Sequence, residues 1–205
     1  MRKAKLDKKW IQVGNVRGKP IMFHPLAPRS RAIHLVDIAH ALSNLCRYTG
    51  HVNNFYSVAE HCVRVSWRAE EICSSEGGDP EECMGVARQG LFHDAAEAYL
   101  GDVATPVKHQ EAFEAYRAAE DHLLRKILRK FKLPETLFHE IKQADTDLLW
   151  TEVRDLMKPV HRNWHKWQTV KRGKALKNQT IVGWTPRQAE KMFMQRFEAL
   201  WSFSR

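Results

Sequence analysis

The stretch GLFHDAAEAYLGD, residues 90–102, decides how this chain folds, because it sets a histidine beside an aspartate inside an apolar, alanine-rich helical run. Neighbouring helix positions point about 100° apart. His93 and Asp94 therefore do not share a face, yet both can grip one small object lodged between adjacent helices. Glu97 falls four residues after His93 and three after Asp94, so it leans over the same spot. Leu91, Phe92, Ala95, Ala96, Ala98 and Leu100 surround the three, and charge buried among such residues requires a partner or a metal ion.

A surface pair or a core-satisfied pair is the commoner reading of His-Asp alone, so the rest of the chain must supply further ligands. His61 lies 32 residues upstream of His93 in FYSVAEHCVRVSW, and Asp145 lies 51 residues downstream of Asp94 in IKQADTDLLWTEVRDL. Both segments have apolar residues at helical spacing. A helix-borne His, then His-Asp, then Asp is a nitrogen and oxygen donor set suited to Mn, Fe, Co, Ni or Zn, with room left for water. A closed structural zinc site would use thiolates, and none belongs to this set.

Outward from these motifs, the chain reads as a mostly α-helical bundle with a small β appendage. Residues 10–24 form two short strands around a Gly/Asn turn. Helices are expected over 36–48, with Asp37 as N-cap, over about 56–71, and over about 80–100 carrying His-Asp, with Gly101 as its stop. A long amphipathic helix follows near 111–131, then one or two more through 157. A closing helix starts at Thr185-Pro186, in N-cap and N1 positions. Residues 158–185 are basic and Trp-rich, with room for a second hairpin near 168–183. One domain is expected over 1–205, with 1–30 as an N-terminal appendage and 158–185 as an insert.

The 205 residues are enough for a full core, and 43% hydrophobic with 28% charged residues is ordinary for a globular protein. No apolar run approaches the roughly 20 residues that span a bilayer, and the basic MRKAKLDKKW start has no apolar stretch after it, so a cytoplasmic location is expected. Cys46, Cys62, Cys73 and Cys83 show no CxxC spacing and read as reduced thiols. The net charge of +9, from 33 Lys+Arg against 24 Asp+Glu, favours anionic ligands.

The segments DIAHALSNLCRYTGH (37–51), FYSVAEH (55–61), HDAAEAYLGDVATPVK (93–108), ADTDLLWTEVRDLM (144–157) and MFMQRFEAL (192–200) resemble, in this order, the HD-domain phosphohydrolase superfamily. Its nucleotide-cleaving branch carries H…HD…D on an α-helical core. The likeness is closest to 5′-deoxynucleotidases and their phage and prophage relatives, which include phage dATP triphosphohydrolases. The resemblance implies His61, His93, Asp94 and Asp145 as metal ligands, with Asp147 a rival to Asp145. It implies Glu97 as the residue that positions or activates the attacking water, Asp102 as a sugar contact and Arg47 as a phosphate contact. Lys108 is a second phosphate candidate, Tyr48 and His51 are candidate pocket walls, and Glu60 a candidate support for His61. Glu152 and Asp155 read as salt-bridge residues. Trp164, Trp167 and Trp184 suit either base stacking or packing.

The expected function is a divalent-metal-dependent phosphohydrolase of (deoxy)nucleotides, first a 5′-deoxynucleotidase releasing phosphate from dNMPs. The alternative within that class is a dNTP triphosphohydrolase releasing tripolyphosphate. A different class, a basic nucleic-acid-binding protein or a non-catalytic nucleotide sensor, would not need His61, His93 or Asp145. The expected cofactor is Mn, Co, Fe, Ni or Zn, with a second divalent ion such as Mg left open. The expected partner is a small nucleotide rather than nucleic acid or a membrane, and a homo-oligomer is expected from the resemblance and the Trp content.

Overall fold

Strand β1 (Ile11–Val13) pairs antiparallel with β2 (Ile21–Phe23), Ile11 opposite Phe23 and Val13 opposite Ile21, in the computed structural model, which describes residues 9–166 and 173–202. Phe23 is buried and stacks on Tyr99 with ring centroids 4.1 Å apart. The N-terminal hairpin is thereby docked on the turn that follows His-Asp.

The rest is helical: α1 (Leu35–Asn44), α2 (Val58–Ser75), α3 (Pro80–Phe92), single turns α4 (Glu97–Leu100) and α5 (Thr105–Lys108), then α6 (Glu114–Lys130), α7 (His139–Leu156) and α8 (Pro186–Ser202). Side-chain caps explain several starts. Ser57 accepts the Glu60 N–H at 3.1 Å, and Asp79 accepts from Glu81 and Glu82 at 2.9 Å with Pro80 at N1. Thr185 and Gln188 cap α8 reciprocally, the Gln188 N–H donating to Thr185 Oγ1 and the Thr185 N–H to Gln188 Oε1.

Helix α2 is the central element, packed along α3 and against α1, α7 and α8. Its first half (Val58, Ala59, Cys62, Val63) joins a core shared with α1, α3, α6 and α8. Its second half (Val65, Ala69, Ile72, Cys73) joins a core shared with α3 and α7. The first turns of α2 are buried throughout from Val58 to Val63, so His61 there can face only an internal site. At the end of α3, Phe92 is fully buried and meets the rings of Phe131, Phe193, Phe197 and Trp201 at 4.4–6.1 Å, which anchors the chain just before His93.

Gly90 makes the α2–α3 contact possible, since a Cβ there would lie 3.1 Å from Ser66 Cα. Gly90→Ala is therefore expected to wedge apart the helices bearing His61 and His93, lowering stability by about 1–3 kcal/mol. Chemical denaturation measures it, and an unchanged midpoint would refute the close approach.

The structure corrects the sequence reading at several points. The helix expected over 80–100 ends at Phe92. Beyond it the Ala95 N–H bonds to Phe92 O and the Glu97 N–H to Asp94 O, both at 3.0 Å, a tighter i→i−3 pattern that re-aims the side chains of residues 93–97. Asp37 is not an N-cap: it lies within the first turn of α1, buried, 3.0 Å from Arg17 Nε. Of the one or two helices expected through 157, residues 139–156 form one. Of the second hairpin, 168–172 lie outside the described residues, and 173–183 contain no strand. The four cysteines are free thiols, and among the described residues no helix is long and apolar enough to cross a membrane.

Candidate metal centre

His61 comes from the first turns of α2, His93 and Asp94 from the end of α3, and Asp145 from the second turn of α7. The fold brings all four together. His61 Nε2 lies 3.1 Å from Asp145 Oδ1 and 3.7 Å from Asp94 Oδ2, while His93 Nε2 lies 3.2 Å from Asp94 Oδ2. The donor atoms of His61, His93 and Asp94 fall within 4.8 Å of one another.

Each imidazole is held by its other nitrogen. His93 Nδ1 donates to Gly90 O at 2.8 Å, and a carbonyl can only accept, so this nitrogen carries the proton. His61 Nδ1 donates to Glu152 Oε1 at 2.7 Å. Both Nε2 atoms are buried without a hydrogen-bond partner. Two histidines fixed through Nδ1, with orphaned Nε2 atoms facing carboxylates, are what metal ligation requires. Donors each about 2.1 Å from one ion would sit roughly 3 Å apart, close to the spacings found here, so the residues fit such an ion.

The electrostatics agree. Burial opposes charge on both imidazoles, yet Glu152 and Asp145 raise the pKa of His61, and Asp94 raises that of His93 well above the usual value. Asp94 is held far below the carboxylate range: burial would raise it, but His93, His61 and Arg47 prevail. Asp145 is likewise lowered, through His61, against its burial. The cluster stabilises positive charge at the two Nε2 atoms, where a cation would lie.

The rival Asp147 faces away from the cluster and takes Arg68 Nη2 at 2.8 Å and Nε at 3.0 Å. Asp147→Asn is expected to lower stability by about 1 kcal/mol and to leave metal content unchanged, as denaturation and elemental analysis would show. Loss of the metal would return Asp147 to the ligand set.

Glu152, read from the sequence as a salt-bridge residue, pairs with Arg47 and His61 and so supports the cluster, a link that sequence reasoning did not make. It is fully buried, and besides His61 it accepts the Tyr56 hydroxyl at 2.9 Å and that of Tyr48, with Arg47 Nε at 3.4 Å. Its position seven residues after Asp145, two turns along the same helix, was the available signal. Glu60, expected to support His61, instead binds Arg64 at 2.7 Å and caps the Trp184 N–H at 2.6 Å. Asp155 pairs with Arg154 and accepts the Ile181 N–H.

Arg47 bridges the cluster to its support, 3.4 Å from both Asp94 Oδ2 and Glu152 Oε2. Tyr48 follows in left-handed backbone (φ 58°), a conformation costly for an aromatic residue and held by its bond to Glu152. Arg47, Tyr48, His51, Asp94, Glu97, Asp102, Lys108 and Asp145 all border one cleft of about 1670 Å³. Glu97 is buried, and burial, then Asp94 and Asp102, push its carboxyl well above the usual range. Asp102 follows Gly101, whose φ of 84° suits glycine. It does not cap α5, which begins after Ala104. Lys108 Nζ lies 3.3 Å from Glu97 and 2.8 Å from Glu120. Trp164 borders the cleft, while Trp184 packs edge-on to Trp67 beneath the Arg64 guanidinium. Trp167 lies outside the described residues.

A family model described as 5′-deoxynucleotidase YfbR-like matches residues 34–159. The chain belongs to the YfbR-like 5′-deoxynucleotidase family, within the HD-domain superfamily. It is 35% identical over 164 residues to the uncharacterized protein YfdR of Escherichia coli K12, spanning 80% of this chain and 82% of that one. An uncharacterized protein of Rhodobacter capsulatus is 36% identical over 121 residues, 58% of each chain.

For a YfbR-like protein the matched span is informative. It begins just before α1, ends just after α7 and contains every cluster residue from Arg47 to Glu152, whereas the hairpin and α8 lie outside it. The HD-domain family implies divalent metal binding, and membership supports a metal-dependent nucleotide phosphohydrolase. A second group, Glu76, His139 and Glu140, stands at the N-terminus of α7. Carboxylates are favoured at that positive end of the helix dipole and a cation is not, so the group reads as an ion-pair link between α2 and α7.

Proposed function

We propose that this chain is a 5′-deoxynucleotidase that releases phosphate from deoxynucleoside monophosphates, with His61, His93, Asp94 and Asp145 holding a divalent transition metal. The observation that carries it is the pair of buried, unpartnered Nε2 atoms converging on Asp94 at the floor of the cleft. An ion there would lower the pKa of a water and draw charge from a phosphoryl oxygen.

The chain's own residues supply the rest. Glu97, whose carboxyl is pushed up by burial, takes the proton of the attacking water. The water oxygen bonds to phosphorus, the bond to the 5′ oxygen breaks, and that oxygen leaves with the proton that Glu97 took up, which restores the carboxylate. Arg47 offers its planar fork to the non-bridging phosphate oxygens. Asp102, which borders the same cleft, accepts from a sugar hydroxyl in this reading. The domain is taken as the whole chain, with 1–30 and 158–185 as additions.

The cleft also supports a second substrate. Its volume exceeds the roughly 300–1,000 Å³ of a typical small-ligand pocket, and Lys142 and Lys158 border it. That room suits the longer phosphate chain of a dNTP, cleaved at the α-phosphate with release of tripolyphosphate. Metal-reloaded protein should be given dNMPs, NMPs and dNTPs, with phosphate, pyrophosphate and tripolyphosphate resolved. Phosphate from dNMPs, lost on chelation and restored by Mn, Co or Zn, is the expected result. Tripolyphosphate from a dNTP would favour the second substrate, and no turnover with any metal would overturn both.

A further inference from the structure

Lys108 was a candidate for the substrate phosphate, but its surroundings assign it another task. Its ammonium is mostly buried between two carboxylates, Glu97 Oε1 at 3.3 Å and Glu120 Oε1 at 2.8 Å. Two anions already share this one cation, which leaves little charge for a third. Glu97, in turn, is 4% exposed, and among the described residues the side-chain hydrogen bond it receives comes from Lys108, while its Oε2 has no partner. One oxygen of Glu97 is held and the other is left open.

Helix α6 makes the hold rigid. Glu120 neighbours both Tyr116 (i, i+4) and Arg117 (i, i+3) on the helix surface. The Tyr116 hydroxyl donates to Gly101 O at 2.7 Å, Arg117 Nη1 donates to Lys108 O at 2.5 Å and to Gln110 O at 2.9 Å, and Glu120 takes the ammonium. The Tyr116 ring lies 6.0 Å from Lys108 Nζ. Four hydrogen bonds through three residues thus pin the segment from Gly101 to Gln110, which carries both Asp102 and Lys108, against the body of the protein.

We propose that Lys108, clamped by Glu120, is a positioning residue that holds the Glu97 carboxylate for its work on the attacking water, which rests on the role given to Glu97 above. An unsupported Glu97 would face Asp94 and Asp102 as a third acid and would swing away from them. A cation fixed 3.3 Å away keeps the carboxylate in place. Glu120 acts one step further out, fixing the lysine.

The test is a kinetic cycle on the metal-loaded full chain, with the nucleotide turned over fastest in the panel above as substrate. Lys108→Met should lower kcat about 10- to 100-fold with KM nearly unchanged, and Glu120→Gln should shift kcat in the same direction by less. In a Glu97→Gln background, Lys108→Met should add no further loss, because the lysine then has nothing to position. A rise in KM with kcat retained, or losses that multiply in the double variant, would make Lys108 a phosphate contact and overturn the proposal. If Glu97→Gln itself costs nothing, the role of Glu97 fails instead. Crystal structures of wild type and Lys108→Met give a readout independent of turnover: the Glu97 carboxylate should move in the variant, and an unmoved carboxylate would overturn the clamp.

Discussion

Asp94→Ala is expected to abolish both metal retention and turnover while the chain keeps its helical circular dichroism. Asp94 lies near both Nε2 atoms, 3.2 Å from His93 and 3.7 Å from His61, and it also meets Arg47 at 3.4 Å. Without it His93 loses the carboxylate against its Nε2, and Arg47 loses one of its two carboxylates. Since a metal lowers the pKa of a bound water from 15.7 to about 7, a fall in kcat of at least ~10³-fold is expected. The side chain projects into the cleft from the end of α3 and closes no part of the core, so the fold should survive. Elemental analysis and turnover on the same preparation test this together, and activity retained without the metal would refute it.

Glu152→Ala is expected to cost stability and activity at once. The carboxylate is fully buried and serves His61, Tyr56, Tyr48 and Arg47. Removing it strands a buried guanidinium and two hydroxyls, a loss of about 3–5 kcal/mol. It also frees His61 to turn or change tautomer, lowering metal affinity or activity about 10- to 100-fold. Denaturation of the metal-free protein isolates the first effect and metal titration the second.

The same residue sets a pH dependence. Burial alone would raise the Glu152 pKa, but Arg47 and His61 hold it down to about 2. Its increment to stability is complete above the unfolded value of ~4.3 and is lost as pH falls towards about 2. Glu152→Gln should flatten the stability profile of the metal-free protein across that window. Equal slopes in variant and wild type would show that the carboxylate is not stabilised by its neighbours.

What the sequence made legible follows from local physics. Apolar spacing located the long helices, Thr185-Pro186 marked the start of α8, and the hairpin followed from alternating strands around a turn. The donors His61, His93, Asp94 and Asp145 were found because residue type and helical context travel with the chain. Residues tied to distant partners were not. Glu60, beside His61 in the chain, read as its support and Glu152 as a salt-bridge residue, and only folding shows that the one 91 residues from His61 supports it. Lys108 read as a free cation because Glu120, on another helix, supplies its second anion. The helix break at 93–97 contains neither Gly nor Pro, so periodicity runs straight through a change from i→i−4 to i→i−3 bonding.

The most direct test of the metal centre is anomalous X-ray scattering from crystals grown with Mn²⁺. A strong peak is expected about 2.1 Å from Nε2 of His61 and of His93, shared with the carboxylates of Asp94 and Asp145. No peak at that point, or the dominant peak at Glu76, His139 and Glu140 instead, would contradict the centre and the hydrolytic chemistry built on it.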